Sequence, residues 1–218
     1  MAYLDCLEIE PNAPANSAII WLHGLGADGN DFAPLAPQLK LPEGTAVRFV
    51  FPHAPTMPVT INNGYVMPAW YDILDADIDR KVDEAQLYAS AAAIADLIDR
   101  EIERGIDSKR ILIAGFSQGG AVAYQTALTY PKPLAGLIVL SSYFATSGSI
   151  EEHSANKQIP VLIQHGTRDS IVPEALGKQA HRLLQQRGYN TVYQTYPLEH
   201  SVCMEQIADI GEWLRDKL

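Results

Sequence analysis

Apolar residues in this chain gather into short continuous runs at 18–22 (AIIWL), 46–51 (AVRFVF), 111–114 (ILIA), 137–140 (LIVL) and 161–164 (VLIQ), with a more polar run at 191–196 (TVYQTY). Each has the length of a strand, and most lack the in–out alternation of a strand with one wet face. Between them lie segments of helical period. In the clearest, 81–104, Leu87, Ala91, Ile94, Leu97, Ile98 and Ile102 share one face and Gly105 supplies a stop. Further helices are predicted at 121–129, ended by Pro131, at 174–186, ended by Gly188, and at 203–216. Strands buried on both faces that alternate with helices predict a mostly parallel central sheet with helices on both faces. No repeat or low-complexity tract interrupts residues 1–218, and a chain of this length fits one α/β domain.

One stretch breaks the rhythm. Residues 52–79 are rich in Pro and Asn and carry Met57, Tyr65, Val66, Met67, Trp70 and Tyr71. A loop of this length in a compact domain is usually functional. Its apolar side chains suit a wall over a site, a packed cap on the core or cover for a second subunit.

Composition narrows the function classes. The 16 Lys and Arg against 26 Asp and Glu give a net charge of −10, which repels phosphate backbones, so nucleic acid is not expected as a partner. No run approaches the roughly 20 apolar residues of a membrane span, so no stable membrane insertion is expected. The start, MAYLDCLEIEPN, carries Asp5 and no basic stretch, unlike a secretory signal. Two cysteines, Cys6 and Cys203, offer neither a disulfide framework nor zinc spacing. They read as reduced, buried small hydrophobes in a cytoplasmic protein.

The strongest chemical signal is Gly115-Phe116-Ser117-Gln118-Gly119-Gly120, between a strand-like and a helix-like segment. This is the G-x-S-x-G arrangement in its required strand–turn–helix context. A serine on so sharp a turn projects its hydroxyl above the sheet edge. Gly115 and Gly119 keep strand and helix close, Gly120 adds room, and the Gln118 N–H faces the oxygen that becomes negative in acyl transfer. A bare serine needs a base. In α/β-hydrolases an acid and then a histidine follow the serine in sequence. Of six histidines, His200 lies in the loop after the last predicted strand, the place for that base. Asp169, in HGTRD after the strand at 161–164, is the acid expected to fix the His200 tautomer, with His165 orienting its loop. Glu199 is a weaker rival, being adjacent to His200. The turn Trp21-Leu22-His23-Gly24-Leu25-Gly26 supplies a second oxyanion N–H at Leu25. It is no phosphate loop, because no Lys-Ser/Thr follows it and Asp28 is close by.

These blocks carry a resemblance. HGLGADGNDF (23–32), FPHAP (51–55), MPAWYDI (67–73), GFSQGGAVA (115–123), HGTRDSIVP (165–173) and His200-Ser201 resemble, in order and spacing over almost the whole chain, the acyl-protein thioesterase and carboxylesterase family. The resemblance implies a single-domain α/β-hydrolase without a large lid domain. It places Ser117, Asp169 and His200 on the catalytic triad, Leu25 and Gln118 on the oxyanion hole, and Trp70, with Met67, beside the acyl site. No metal or cofactor is called for. The activity it implies is hydrolysis of short- to medium-chain carboxylic esters by a serine carboxylesterase. The alternative is a thioesterase that removes long acyl chains from protein cysteines, with Met57, Met67 and Trp70 along the groove; a non-catalytic hydrolase-fold binding module is more remote. The partners are thus a small ester or an acylated protein, and the resemblance also implies a weak homodimer. Glu199 departs from the Gly or Met common before the base, which leaves the base assignment intact.

Overall fold

The computed structural model describes residues 3–75 and 80–218. Their strands are β1 (Cys6–Ile9), β2 (Ser17–Leu22), β3 (Val47–Pro52), β4 (Thr56–Val59), β5 (Tyr65–Pro68), β6 (Ile111–Phe116), β7 (Gly136–Leu140), β8 (Val161–Gly166) and β9 (Thr191–Tyr196). The helices are α1 (Glu84–Glu103), α2 (Gln118–Thr129), α3 (Glu174–Gln186) and α4 (Met204–Leu214). Seven strands make one sheet in the order β1-β3-β2-β6-β7-β8-β9. Every neighbouring pair is parallel except β1 with β3. This is the mostly parallel sheet expected from the apolar runs, and the α/β-hydrolase fold that the resemblance implied.

The runs are continuous because both faces are covered. Ile20 and Leu22 of β2, Ile113 of β6 and Val139 of β7 join one buried cluster with α1, α2 and α3. Ile19, Trp21, Leu112 and Ile138, one residue out of phase, join the other with α4 and a short 3₁₀ helix, Ala33–Leu39. The strand period of two therefore sends alternate residues to opposite, equally dry faces. Where α4 crosses the 3₁₀ helix, a Cβ on Gly211 would lie 2.0 Å from the Leu39 carbonyl, so only glycine permits that approach.

Element ends differ from the sequence reading for local reasons. α1 begins at Glu84 rather than 81, because Asp83 caps it by accepting from the Gln86 N–H at 3.0 Å. Lys81 and Val82 instead face Leu74 and Ile73. α2 begins three residues early, so Gly119 and Gly120 lie in its first turn. The stretch 52–79 is not a bare loop. It contains the β4–β5 hairpin, whose turn carries Asn63 and Gly64 at φ 56° and 75°. Residues 76–79 of that stretch lie outside the described residues. Cys6 and Cys203 are free thiols, as expected, but half-buried rather than enclosed. Among the described residues, no helix is long and apolar enough to cross a membrane.

Edge strand β1 is tied to α1 by charge. Glu101 is fully buried, with Arg48 at 2.7 Å, Arg104 at 2.9 Å and Arg100 at 3.2 Å. Glu8 and Glu10 complete the cluster at 2.8 Å from these arginines. Removing one member of a buried ion pair strands the others. We therefore expect Glu101→Ala to lower unfolding stability by about 3 kcal/mol, the low end for such deletions because Glu8 and Glu10 remain. Urea melting checks this, and a loss below ~1 kcal/mol, the scale of a surface pair, would show that the arginines simply re-pair.

Candidate active site

Ser117 sits between β6 and α2 at φ 54°, ψ −119°, a conformation costly for a non-glycine residue. Its neighbours hold it there. Its N–H donates to the Leu140 carbonyl at 2.9 Å, and its carbonyl accepts from Ser142 Oγ at 2.6 Å. The motif glycines are steric necessities. A Cβ on Gly115 would lie 2.4 Å from the Gly119 carbonyl oxygen, one on Gly119 2.5 Å from that of His23, and one on Gly120 2.6 Å from Ser142.

The structure brings the three distant residues together. His200 Nε2 lies 2.9 Å from Ser117 Oγ, and His200 Nδ1 lies 2.6 Å from Asp169 Oδ2. The loops bearing His200 and Asp169 meet closely. The Arg168 N–H donates to the Leu198 carbonyl, and a Cβ on Gly166 would lie 2.5 Å from that same oxygen. Asp169 Oδ1 accepts from the Ile171 and Val172 N–H groups at 3.0 and 2.8 Å. His165 steadies the same turn, its Nε2–H donating to the Val172 carbonyl at 2.8 Å. Burial alone would raise the Asp169 carboxyl. The hydrogen bond from His200, with those from the Val172 and Ile171 amides, outweighs it and holds the carboxyl below its ordinary range. Asp169 is therefore ionised, and His200 Nδ1 carries the proton it shares with the carboxylate. Nε2 is left free to accept from the serine hydroxyl. Glu199 is exposed and makes no side-chain hydrogen bond to the ring.

Leu25 follows β2 and Gln118 opens α2, and both line the cleft at Ser117. Gln118 stands in the first helical turn, where an N–H has no intrahelical acceptor. No backbone carbonyl of the described residues accepts from the Leu25 N–H. The Leu25 loop is braced from below. His23 donates from Nδ1 to the Gly24 carbonyl at 2.7 Å and accepts at Nε2 from the Ala54 N–H at 3.1 Å. Burial pushes the His23 pKa down, which preserves this neutral tautomer. His53 braces the loop further on, where its Nδ1 accepts from the Gly29 N–H.

Above Ser117 and His200 lies a cleft of about 210 Å³. Leu25, Ile61, Ile73, Phe116, Tyr143 and Ile171 wall it, and Arg80 stands at one side. Trp70 and Met67 are not part of this wall. Trp70 has no exposed surface; its indole N–H donates to the His23 carbonyl at 2.9 Å. Met67 packs its sulfur toward Gly26 and Asn62. The expected acyl-side aromatic thus lies against the loop after β2, while Ile61, Ile73, Tyr143 and Ile171, which the sequence reading did not single out, line the cleft. An apolar residue type does not reveal which side of a loop it faces.

The parallel sheet, the serine at the sharp β6–α2 turn and the histidine after the last strand define an α/β-hydrolase of the serine type. The chain belongs to the phospholipase/carboxylesterase family, whose model matches residues 4–218. It is 39% identical over 213 residues to acyl-protein thioesterase 1 of Neurospora crassa, covering 93% of this chain and 87% of that protein. It is 35% identical to acyl-protein thioesterase 1 of Cryptococcus neoformans, covering 99% and 98% of the two chains. The crystal structure of Zea mays acyl-protein thioesterase 2 superposes with a TM-score of 0.87 at 28% identity, over 99% of each chain.

Proposed function

We propose that this protein is an acyl thioesterase that removes acyl chains from cysteine thioesters of proteins, by way of a covalent intermediate on Ser117. The observation that carries hydrolysis at this site is the unbroken chain from Ser117 Oγ through His200 to Asp169, with spacings of 2.9 and 2.6 Å. Its direction toward thioesters is supported by relatives of that name, aligned over almost the whole chain. In this mechanism His200 Nε2 takes the Ser117 proton as Oγ attacks the acyl carbonyl carbon. The carbonyl electron pair moves onto oxygen, where the Leu25 and Gln118 N–H groups receive it. The carbonyl re-forms, the C–S bond breaks, and His200 returns its proton to the departing thiolate. Water then attacks the acyl-enzyme, with His200 again as base, and releases the fatty acid and the free serine. The apolar cleft takes the acyl chain, and the protein bearing the thiol stays in solvent. The free thiols of Cys6 and Cys203 suit a reducing, cytoplasmic setting.

A serine carboxylesterase acting on short- to medium-chain oxygen esters is the second reading, favoured by the small volume of the cleft over Ser117. The same groups serve an alkoxide leaving group. Matched oxygen esters and thioesters from acetyl to palmitoyl separate the two. We expect kcat/KM for thioesters to equal or exceed that for esters and to rise toward long chains. A maximum at short oxygen esters would return the protein to the carboxylesterase reading. Absence of turnover, together with failure of Ser117 to react with a phosphonate probe, would leave only a binding module.

A further inference from the structure

An oxyanion hole works when two N–H groups meet at one point, within about 3 Å of the developing charge. Here the two groups belong to different elements, the loop after β2 and the first turn of α2. Residues 68–71, from the last residue of β5 onward, touch both. On the loop side, the Pro68 carbonyl accepts from the Gly26 N–H at 2.8 Å, and the Trp70 indole N–H donates to the His23 carbonyl at 2.9 Å. These bonds bracket Leu25, one residue after it and two before. The Trp70 ring also lies 5.1 Å from the His23 imidazole. On the helix side, the Trp70 backbone N–H donates to Gln118 Oε1 at 2.8 Å, and Gln118 Nε2 donates to the Tyr71 carbonyl at 2.6 Å. Trp70, Tyr71 and Gln118 are all buried, and Ser90 Oγ secures the Trp70 carbonyl from α1.

We propose that Trp70 is a positioning residue for acyl transfer, clamping the Leu25 loop to the Gln118 turn so that their two N–H groups converge on the oxyanion. A buried indole N–H commonly finds an acceptor, although that of Trp21 has none here. The telling feature is where these bonds end: all four land on the two elements that carry the proposed hole, at Gly26 and His23 on either side of Leu25 and at Gln118 itself, and Trp70 makes one of them on each side. The inference rests on the proposed reaction at Ser117. It assigns Trp70 to the charge formed in the transition state rather than to the acyl chain.

Trp70→Phe keeps an aromatic ring beside His23 but removes the indole N–H together with part of the buried ring volume, so its melting temperature is measured beside its kinetics. Its readout is kcat against KM, together with the affinity ratio of a trifluoromethyl ketone, which forms a tetrahedral adduct, to the methyl ketone of the same chain, which does not. We expect kcat to fall by about 10- to 100-fold, the scale of a small misplacement of catalytic groups. KM should stay within about threefold, because an acyl chain lying elsewhere loses no contact of its own. The ketone ratio should fall in step with kcat. A purely structural role would lower the melting temperature and leave that ratio unchanged, and an unchanged ratio overturns the proposal. If Trp70→Phe does not fold, Gln118→Met, which cuts the clamp from the helix side and keeps the Gln118 backbone N–H, is judged by the same ratio. Wild-type protein that neither turns over nor labels at Ser117 would defeat the underlying reaction, and the clamp's role with it. Normal wild-type turnover with an unaltered ratio in the variant would defeat the clamp alone.

Discussion

Ser117→Ala is expected to lower kcat by about six orders of magnitude, as removal of the nucleophile does in serine hydrolases. In the proposed reaction the substitution deletes the one atom to which the acyl carbon bonds, so no acyl-enzyme can form. What would remain is water, His200 as the proposed base and the proposed oxyanion amides of Leu25 and Gln118, which together should retain about 10³- to 10⁴-fold over the uncatalysed reaction. The fold should hardly notice. Ser117 Oγ makes one hydrogen bond, to His200, while the strained turn is held by backbone bonds to Leu140 and Ser142 that alanine keeps. Loss of one such bond costs about 1 kcal/mol. Turnover of the preferred ester or thioester, thermal melting and phosphonate labelling check the result together. A purified, folded variant with turnover within tenfold of wild type would move the nucleophile to another residue.

The features the sequence displayed are those with a period or a fixed local geometry. Strands β2, β6, β7 and β8 were visible because burial on both faces keeps their runs apolar, the buried polar residues Ser17, Gln164 and His165 standing only toward strand ends. Strand β1 was not, since its four residues are all half-buried and include Glu8. Pro58 and Pro68 disguised the β4–β5 hairpin, as proline argues against a strand except at an edge. Pro34 and Pro37 likewise erased any α-helical period from the segment Ala33–Leu39, which covers much of one sheet face. At the site, the turn around Ser117 announces itself through glycines that permit no Cβ. His200 and Asp169 could be placed by chain order because each follows a strand, and the structure sets them in one hydrogen-bonded line. Trp70 shows the limit. Its residue type suited an acyl wall, but its direction depends on acceptors at His23 and Gln118, 47 and 48 residues away in the chain. No local pattern encodes such a pairing.

Asp169→Asn follows from the same geometry and is expected to lower kcat by about 10⁴-fold, the cost of the wrong histidine tautomer. Asp169 Oδ1 faces two N–H donors, from Ile171 and Val172. An asparagine amide cannot point its NH₂ at them, so its oxygen must occupy the Oδ1 position and its nitrogen must face His200. That nitrogen is a donor where the carboxylate was an acceptor. His200 must then carry its proton on Nε2, aimed at Ser117 Oγ, and it can no longer accept the hydroxyl proton. The buried site also loses the negative charge that stabilises the imidazolium formed as the serine attacks. Both effects act on the chemical step, so KM should change little while kcat falls. The amide keeps its bonds to Ile171 and Val172, so the loop stays folded and melting should shift by only a few degrees. Steady-state kinetics of Asp169→Asn beside Glu199→Gln settle which carboxylate serves His200. Near-normal kcat in the first and a large loss in the second would transfer the role to Glu199, against its exposed position and its lack of a hydrogen bond to the ring.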